Sequence, residues 1–286
     1  MTTAAAPHVA AATSAAGSSA AASAAPAAEI TVTQADSVAD IDRALAVLHD
    51  GYVEAGYLTP RPSGRRMHPA YLNPGTVFML AHMEGEVVGT CAIVADGPFG
   101  LPSDRAFQEE NDALRAASAG GLCECGSLTV SRRHRRHTRR IVMRLFATAS
   151  RVARDEFPHS TVVIAVTPEN ERFYRAIAAA EPVAEPRPLY GAPASLMRTT
   201  GRLIAEHSAG RGTPTQRLMD AMMSDQEPDW LLDERTNEAL PPAWIARLFE
   251  ESGATERLLS QLALLTGRDP VRLARAVGLT ARTEAA

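Results

Sequence analysis

The feature that most constrains the fold is the apolar segment Thr161–Val166, which is followed at once by a helix start. A nearly continuous run of Val, Ile and Ala is typical of a strand that is buried on both faces of a sheet. Thr167 can cap the next helix, and Pro168 suits its first position because the missing N–H is not needed there. The segment therefore predicts a central strand that leads directly into a helix.

Strand-like and helix-like segments alternate before and after this strand, between residues 29 and 198. The predicted strands cover residues 30–33, 76–81, 86–94 and 122–130, with a last pair between 182 and 197. The predicted helices begin near Ser37, Ser103 and Arg132, and a turn at Met83–Gly85 predicts a hairpin. This order predicts an α/β fold, a mixed sheet flanked by helices, of the size of one ordinary domain. Periodicity alone leaves several α/β folds open.

Two flanking segments differ from this domain in composition. Residues 1–28 are mostly Ala, Ser, Thr and Pro, and such a segment buries too little apolar surface to offset the entropy of ordering it. From residue 199 to 286 the apolar residues recur at helical spacing only. We therefore expect a disordered tail over 1–28, an α/β domain over 29–198 and an added all-helical segment over 199–286.

Charge and cysteine content narrow the classes of function. The formal net charge is -4, so the chain as a whole lacks the basic footprint of a nucleic-acid-binding protein. We expect Cys91, Cys123 and Cys125 to fill the core, because they are too few for a disulfide framework and lack the spacing of a zinc site. No apolar run is long enough to span a bilayer, and no signal peptide is evident, so we expect a cytoplasmic protein.

Five segments resemble the FeeM-type long-chain N-acyl amino acid synthases, which are relatives of the acyl-homoserine-lactone synthases within the GNAT-like superfamily. Their shared order along the chain makes the resemblance specific, and they lie within residues 43–57, 87–102, 114–130, 164–175 and 189–193. The chain departs from the family pattern at Ser127, where an arginine usually follows the Glu-x-Gly step. It departs again at Glu169 and Asn170, where a histidine often follows the proline.

The resemblance implies a GNAT-like sheet and an acyltransferase. The enzyme would move an acyl group, expected to be long, from the thioester of acyl carrier protein to the amine of an amino acid or a similar small molecule. No metal or redox cofactor is implied, because the thioester of carrier protein or CoA is itself the activated donor. Two alternatives stay open: an acyl-CoA-dependent GNAT N-acetyltransferase, and a catalytically inactive GNAT-like scaffold that binds a protein partner.

Three residues are candidates for catalysis. Glu124 lies in the middle of a predicted apolar strand, where a carboxylate is costly unless it is paired or faces a solvated cleft, so we predict that it accepts the proton of the attacking amine. An ion pair with Arg43 is the structural alternative. Gly126 can mark a bulge whose N–H groups stabilise the oxyanion, or it can be a packing glycine. GNAT-like enzymes often use a tyrosine at the position of Tyr174 as the acid that protonates the leaving thiolate.

The acceptor site is predicted from the resemblance. An acidic residue near Asp96 helps to bind the acceptor amine in the homoserine-lactone relatives, although an aspartate at this place can also simply form a turn. Arg43 and Tyr57, at the two ends of the first resembling segment, complete the predicted acceptor-binding set.

The arginine-rich segment 131–140 is the predicted donor-binding region. Acetyl-CoA-dependent GNATs carry a glycine-rich loop here that cradles a pyrophosphate, but this chain has no glycine between Gly126 and Gly191. Arginines suit a single phosphate and an acidic protein surface, and acyl carrier protein offers both, so the donor-binding residues are predicted to be Arg132, Arg133, Arg135 and Arg136. A solvated helix face and a nucleic-acid patch are the alternatives.

Overall fold

The structure, a computed structural model, describes residues 29–73 and 75–209. The strands are β1 (Thr31–Gln34), β2 (Val77–Met83), β3 (Glu86–Ala95), β4 (Leu122–Val130), β5 (Thr161–Val166), β6 (Glu181–Pro182), β7 (Arg187–Leu189) and β8 (Ala192–Thr200). The helices are α1 (Val38–Glu54), α2 (Asp104–Ala117), α3 (Thr138–Glu156), α4 (Glu171–Ala178) and α5 (Gly201–Ala209). The predicted tail over 1–28 and the part of the predicted helical segment over 210–286 lie outside the described residues.

The eight strands form one mixed sheet in the order β1-β2-β3-β4-β5-β8-β6, and β7 pairs with β8. The pairing of β4 with β5 is parallel, and the other pairings in the sheet are antiparallel. A parallel pair needs a crossover connection, which the α3 helix provides between β4 and β5. The predicted mixed α/β sheet flanked by helices is confirmed.

The sheet separates two apolar layers. On one face, α3 and α4 contribute buried residues that include Ile141, Leu145 and Ile177. On the other face, α1 and α2 contribute residues such as Leu48 and Phe107. The cysteines of β3 and β4 are free and buried on the α3 face, as expected for core-filling side chains.

Two tight hairpin turns use left-handed backbone. Glu84 and Gly85 have φ of 54° and 81° between β2 and β3, which confirms the predicted hairpin. Tyr190 and Gly191 have φ of 52° and 82° between β7 and β8. Positive φ at both central residues is the signature of the turn whose twist matches that of paired strands.

Two sequence predictions differ from the structure in detail. The helix predicted from Arg132 starts as a 3₁₀ segment, Arg132–His137, and becomes α-helical only at Thr138. The break lies at His134, whose φ of -109° and ψ of 17° are not helical. The last strands number three, because the short β6 and β7 both pair with β8. Within residues 29–73 and 75–209, no helix is both long and apolar enough for a membrane span.

Candidate active site

The feature of the sheet that defines the site is the fork between β4 and β5. The two strands pair over three residues each, and the last pair is Glu124 opposite Val163. Beyond this pair β4 continues to Val130 against β3, whereas β5 continues to Val166 against β8. The two strands therefore diverge immediately after Glu124, and the sheet opens there.

Glu124 is buried at this fork, with 5% of its surface exposed. Its Oε2 accepts a hydrogen bond of 2.8 Å from the backbone N–H of Ser103, the residue before α2. Burial raises the pKa of Glu124 to about 7, and hydrogen bonding from Ser103 and the charge of Arg66 oppose this rise only in part. A carboxyl group with this pKa exchanges its proton near neutral pH, as a general base must. The alternative ion pair with Arg43 does not form, because Arg43 Nη1 bonds to Asp40 Oδ1 at 2.8 Å.

A β-bulge lies just beyond Glu124. The register between β3 and β4 shifts at Cys91, because Thr90 pairs with Thr129 while Ala92 pairs with Gly126. The bulge predicted beside Gly126 is present, and its unusual backbone is at Ser127, with φ of 55°. A Cβ atom on Gly126 would lie 3.6 Å from Glu124 Oε1, so this stretch of backbone is next to the carboxylate.

Tyr174 lies on α4, the helix that follows β5, and is 7% exposed. Its ring packs edge-on against Phe146 and Phe173, with centroid separations of 5.3 Å to each. Burial raises the pKa of Tyr174, and so does the proximity of Cys125, Cys91 and Tyr52. The hydroxyl therefore stays protonated at neutral pH.

A cavity of about 1370 Å³ opens beside the fork. Its wall comes from the loop after α1, the loop between β3 and α2, part of α2 itself and the turn between β7 and β8. Two of the predicted acceptor-binding residues, Tyr57 and Asp96, line it. Leu122, which is two residues before Glu124 on β4, also lines it, and so do Pro102 and Asp104, the neighbours of the Ser103 whose N–H binds the carboxylate of Glu124.

Asp96 is part of an ion cluster in this wall. Its carboxylate accepts two hydrogen bonds from Arg115, of 2.7 Å from Nε and 3.0 Å from Nη2. The same guanidinium bonds to Asp104 and Asp112, each at 2.7 Å. Three aspartates share one arginine, so this cluster carries a net negative charge, whereas Arg61, Arg66 and Arg105 add positive charge elsewhere in the cavity wall.

Arg66 belongs to the site but was not predicted from the sequence. It lines the cavity at 5% exposure, and its Cζ lies 4.3 Å from the ring centroid of Tyr52 and 4.7 Å from that of Tyr190. Its Nη1 donates a 2.6 Å hydrogen bond to the hydroxyl of Tyr71, which in turn lies 2.9 Å from Ser127 Oγ. No local pattern separates Arg66 from the neighbouring Arg65, because only the tertiary fold buries one of the two.

The structure does not bring Arg43 to the other candidates. It lies in the first turns of α1, its side chain is 59% exposed, and it is not among the residues that line the cavity. Tyr52, nine residues further along α1, is the residue that contacts Arg66. Nine residues at about 100° each amount to two and a half helical turns, so the two side chains point to opposite faces of the helix.

The four predicted donor-binding arginines lie between the end of β4 and the start of α3. They are at the end of β4 where the strand has separated from β5. All four are exposed in the 3₁₀ segment 132–137. Arg132 and Arg135 pair with Glu54 at the end of α1, at 3.5 and 2.6 Å. Arg133 and Arg136 form no ion pair with the residues that the structure describes.

A mixed sheet that forks at a buried carboxylate, with a cavity beside it, is the architecture of a GNAT-like acyltransferase, and the chain is an enzyme of this class. The family described as N-acyl amino acid synthase FeeM matches residues 43–200, which is more than half of the chain. The chain therefore belongs to the FeeM family of N-acyl amino acid synthases.

The chain is similar to several solved structures, and the first of them supports this fold. The chain is 18% identical to FeeM, an N-acyl amino acid synthase from uncultured soil microbes, over 68% of this chain and 100% of that one, with a TM-score of 0.53. It is 13% identical to the acyl-homoserine-lactone synthase LasI, over 61% of this chain and 90% of LasI, with a TM-score of 0.48. The CoA-dependent synthase BjaI gives 18% identity, 68% and 100% coverage, and a TM-score of 0.47. No curated protein sequence matches the chain.

Proposed function

We propose that this enzyme transfers a long-chain acyl group from the thioester of acyl carrier protein to the amine of an amino acid or a similar small molecule. The observation that carries the proposal is the position of Glu124 at the last pair before β4 and β5 diverge. A thioester arm that enters between the separated strands reaches this carboxyl group, and the cavity on the α2 side receives the acceptor. The reaction requires no metal or redox cofactor, because the thioester is already activated.

Glu124 is the proposed general base. The neutral amine nitrogen attacks the thioester carbon, the C–N bond forms, and the carbonyl oxygen becomes an oxyanion. Glu124 takes the proton that the nitrogen loses, directly or through a water molecule. The pKa of Glu124, raised to about 7 by burial, suits this role because the carboxylate form is populated at neutral pH and still binds a proton well.

The leaving group departs on the other face of the sheet. Collapse of the oxyanion breaks the C–S bond, and the thiolate of the pantetheine arm receives a proton from Tyr174. The products are an amide and a free thiol, and Tyr174 regains its proton from Glu124 or solvent. The bulge at Gly126 and Ser127, next to the carboxylate, is the proposed source of N–H donors for the oxyanion.

The donor is proposed to be carrier protein because of the exposed arginines at the open end of the fork. Arg133 and Arg136 have no ion pair with the described residues and project from the 3₁₀ segment Arg132–His137. An acidic helix of a carrier protein and the phosphate of its prosthetic group both complement such a surface, whereas the chain offers no glycine-rich cradle for a pyrophosphate there.

The test of the reaction is a transfer assay with purified protein, with long-chain acyl carrier protein or acyl-CoA as the donor and a pool of amino acids as the acceptor. Mass spectrometry of the products identifies the donor and acceptor together. Glu124→Gln is expected to reduce kcat/KM by at least about a hundredfold, since it removes the base while keeping the shape. Glu86→Gln, on the exposed end of β3, is the matched control and should be silent. Full activity in Glu124→Gln would overturn the assignment of the base.

The choice of donor has its own test. Arg133→Gln with Arg136→Gln is expected to raise the KM for acyl carrier protein about tenfold at low salt while leaving the KM for acyl-CoA nearly unchanged, because rim charges act mainly on protein association. Arg202→Gln, an exposed arginine of α5, is the control. Equal losses with both donors, or activity with acyl-CoA alone, would contradict the carrier-protein proposal.

A further inference from the structure

Ser127 lies in a stretch of β4 that is in register with neither neighbouring strand. The pairing of β4 with β5 stops at Glu124. Gly126 and Thr129 are in register with β3, but Ser127 between them is not. Its φ of 55° is left-handed, a conformation that a residue other than glycine adopts at a cost. Strain of this kind persists where the surrounding structure fixes it, and it is concentrated at functional sites.

A chain of two hydrogen bonds connects the side chain of Ser127 to a buried cation. Arg66 Nη1 donates a bond of 2.6 Å to the hydroxyl of Tyr71, and the same hydroxyl lies 2.9 Å from Ser127 Oγ. All three side chains are buried. Hydrogen bonds in such an interior are electrostatically stronger than in water, and each bond of a chain polarises the next.

The direction of this chain follows from the hydrogens that each group carries. A guanidinium only donates, so the oxygen of Tyr71 accepts from Arg66. Burial raises the pKa of Tyr71, so its hydroxyl keeps a hydrogen at neutral pH. Among the described residues, Ser127 Oγ is the acceptor within reach of that hydrogen, and leaving a buried O–H unsatisfied is costly. Tyr71 therefore donates to Ser127, whose own hydroxyl hydrogen has no acceptor in the described part of the chain.

The end of the chain is close to the proposed base. A Cβ atom on Gly126, the residue before Ser127, would lie 3.6 Å from Glu124 Oε1. Arg66 is also near enough to Glu124 for its charge to oppose the rise in the pKa of that carboxyl group. The base and the serine hydroxyl therefore occupy one short stretch of β4, where the strands separate. A donor that a buried cation polarises is suited to a carbonyl oxygen that gains negative charge in the transition state.

We propose that the hydroxyl of Ser127 donates a hydrogen bond to the thioester carbonyl oxygen as it becomes an oxyanion, and that Arg66 strengthens this donor through Tyr71. The inference rests on the proposed function and adds a catalytic residue to it, beside the backbone N–H groups of the bulge. Arg66 and Tyr71 are positioning residues, because they act through Ser127. No proton moves along the chain: the amine proton still goes to Glu124, and the thiolate still receives its proton from Tyr174. The chain departs from the family pattern at Ser127, so this role belongs to its own residues.

Two variants remove the hydroxyl but differ in their effect on the backbone. Ser127→Gly relieves the left-handed conformation and Ser127→Ala does not, so Ser127→Gly is expected to have the higher Tm of the two. Both are expected to lower kcat about a hundredfold, the loss typical of one oxyanion donor, and to change the KM for either substrate less than about twofold. Glu84→Gly and Glu84→Ala, at φ of 54° in the turn between β2 and β3, are the matched controls and should show the same order of Tm with unchanged kcat.

Tyr71→Phe tests the connection to Arg66. It keeps the ring, which packs edge-on against Phe78 with a centroid separation of 5.0 Å, and removes the hydroxyl. We expect kcat to fall about tenfold, the effect of one charge-assisted hydrogen bond. The double variant with Ser127→Ala is expected to be no slower than Ser127→Ala alone, because both changes interrupt the same chain. Losses that multiply in the double variant would contradict the role of Tyr71 and Arg66.

An infrared measurement separates this inference from the proposed function. The probe is palmitoyl acyl carrier protein, isotopically labelled at the thioester carbonyl and bound without any amine. A hydrogen bond lowers the stretching frequency of a carbonyl group, so the labelled band of the wild type is expected below that of Ser127→Gly. This shift without acyl transfer to any amine would refute the proposed function alone. Transfer by the wild type with equal bands, or with unchanged kcat in both Ser127 variants, would refute the role of Ser127 alone, and neither transfer nor a shift would refute both.

Discussion

Replacing Glu124 by glutamine should change how the free energy of unfolding depends on pH, and the size of the change follows from the raised pKa of this buried carboxyl group. Burial raises the pKa of Glu124 from 4.5 to about 7, so the folded protein binds this proton more tightly than the unfolded chain does. The folded state is therefore favoured below pH 4.5 and loses stability as the pH rises through about 7. A glutamine has the same shape, still accepts from Ser103 N–H and does not titrate.

The size of the effect follows from the shift. A rise from 4.5 to about 7 is about 2.5 pH units, or about 3 kcal/mol at 1.36 kcal/mol per unit. The wild type loses this stability between the two pKa values, so an experiment from pH 5 to pH 8 covers about 2 of the 2.5 pH units. The expected change in the free energy of unfolding over this range is therefore about 2 to 3 kcal/mol.

His68 acts in the opposite sense and must be separated from Glu124. Burial, with the nearby charges of Arg66 and Arg105, lowers the pKa of His68 from 6.5 to about 3. The folded state therefore loses stability as the pH falls below 6.5, because the unfolded histidine binds a proton that the folded one rejects. The total stability of the wild type can thus be nearly flat with pH. Both proteins contain His68, so its contribution cancels when the free energy of unfolding of the wild type is subtracted from that of Glu124→Gln.

The assay is urea unfolding of both proteins at pH 5 and pH 8. The quantity compared is the free energy of unfolding of Glu124→Gln minus that of the wild type. This difference is expected to be about 2 to 3 kcal/mol larger at pH 8 than at pH 5. The rate of acyl transfer by the wild type should also rise with pH through about 7, because the base must be deprotonated. Parallel stability curves for the two proteins would show that Glu124 has an ordinary pKa, and the argument for a buried base would fail.

Four further substitutions test the ion cluster, the packing of α3 on the sheet and the β2–β3 turn. Arg115→Met leaves the aspartates that share this arginine unpaired, and urea unfolding should show a loss of about 3 kcal/mol; a loss below 1 kcal/mol would contradict the ion cluster. Gly89→Ala places a Cβ 2.8 Å from Ile141 Cγ2 and should lower the free energy of unfolding by about 1–3 kcal/mol. Gly126→Ala meets only ordinary contacts at 3.6 Å and should cost less. Equal losses in the two variants would contradict the packing of α3 on β3. Glu84→Asn, at φ of 54°, should raise the Tm by a few degrees, because asparagine before glycine favours this turn; a lower Tm would argue against the left-handed turn.

The candidate site shows which residues local sequence is able to identify. Glu124 stands out because a carboxylate within an apolar strand is costly, and Tyr174 because of its place after the buried strand; both lie near the fork. Arg66 has no such signal, since its neighbour Arg65 has the same side chain in the same loop. Arg43 was expected at the site on the strength of its segment, yet the turn of α1 directs it to solvent and directs Tyr52 inward.

The sequence by itself determined the order of strands and helices, the hairpin at Glu84 and Gly85, and the unusual carboxylate of β4, because each depends on neighbours within one or two turns of chain. Only the tertiary structure decided that β4 and β5 part after Glu124, and that Arg66 lies between rings from α1 and from the β7–β8 turn. These features depend on contacts between segments far apart in the chain, where strand register and burial are set by the packing of the whole sheet rather than by local preference.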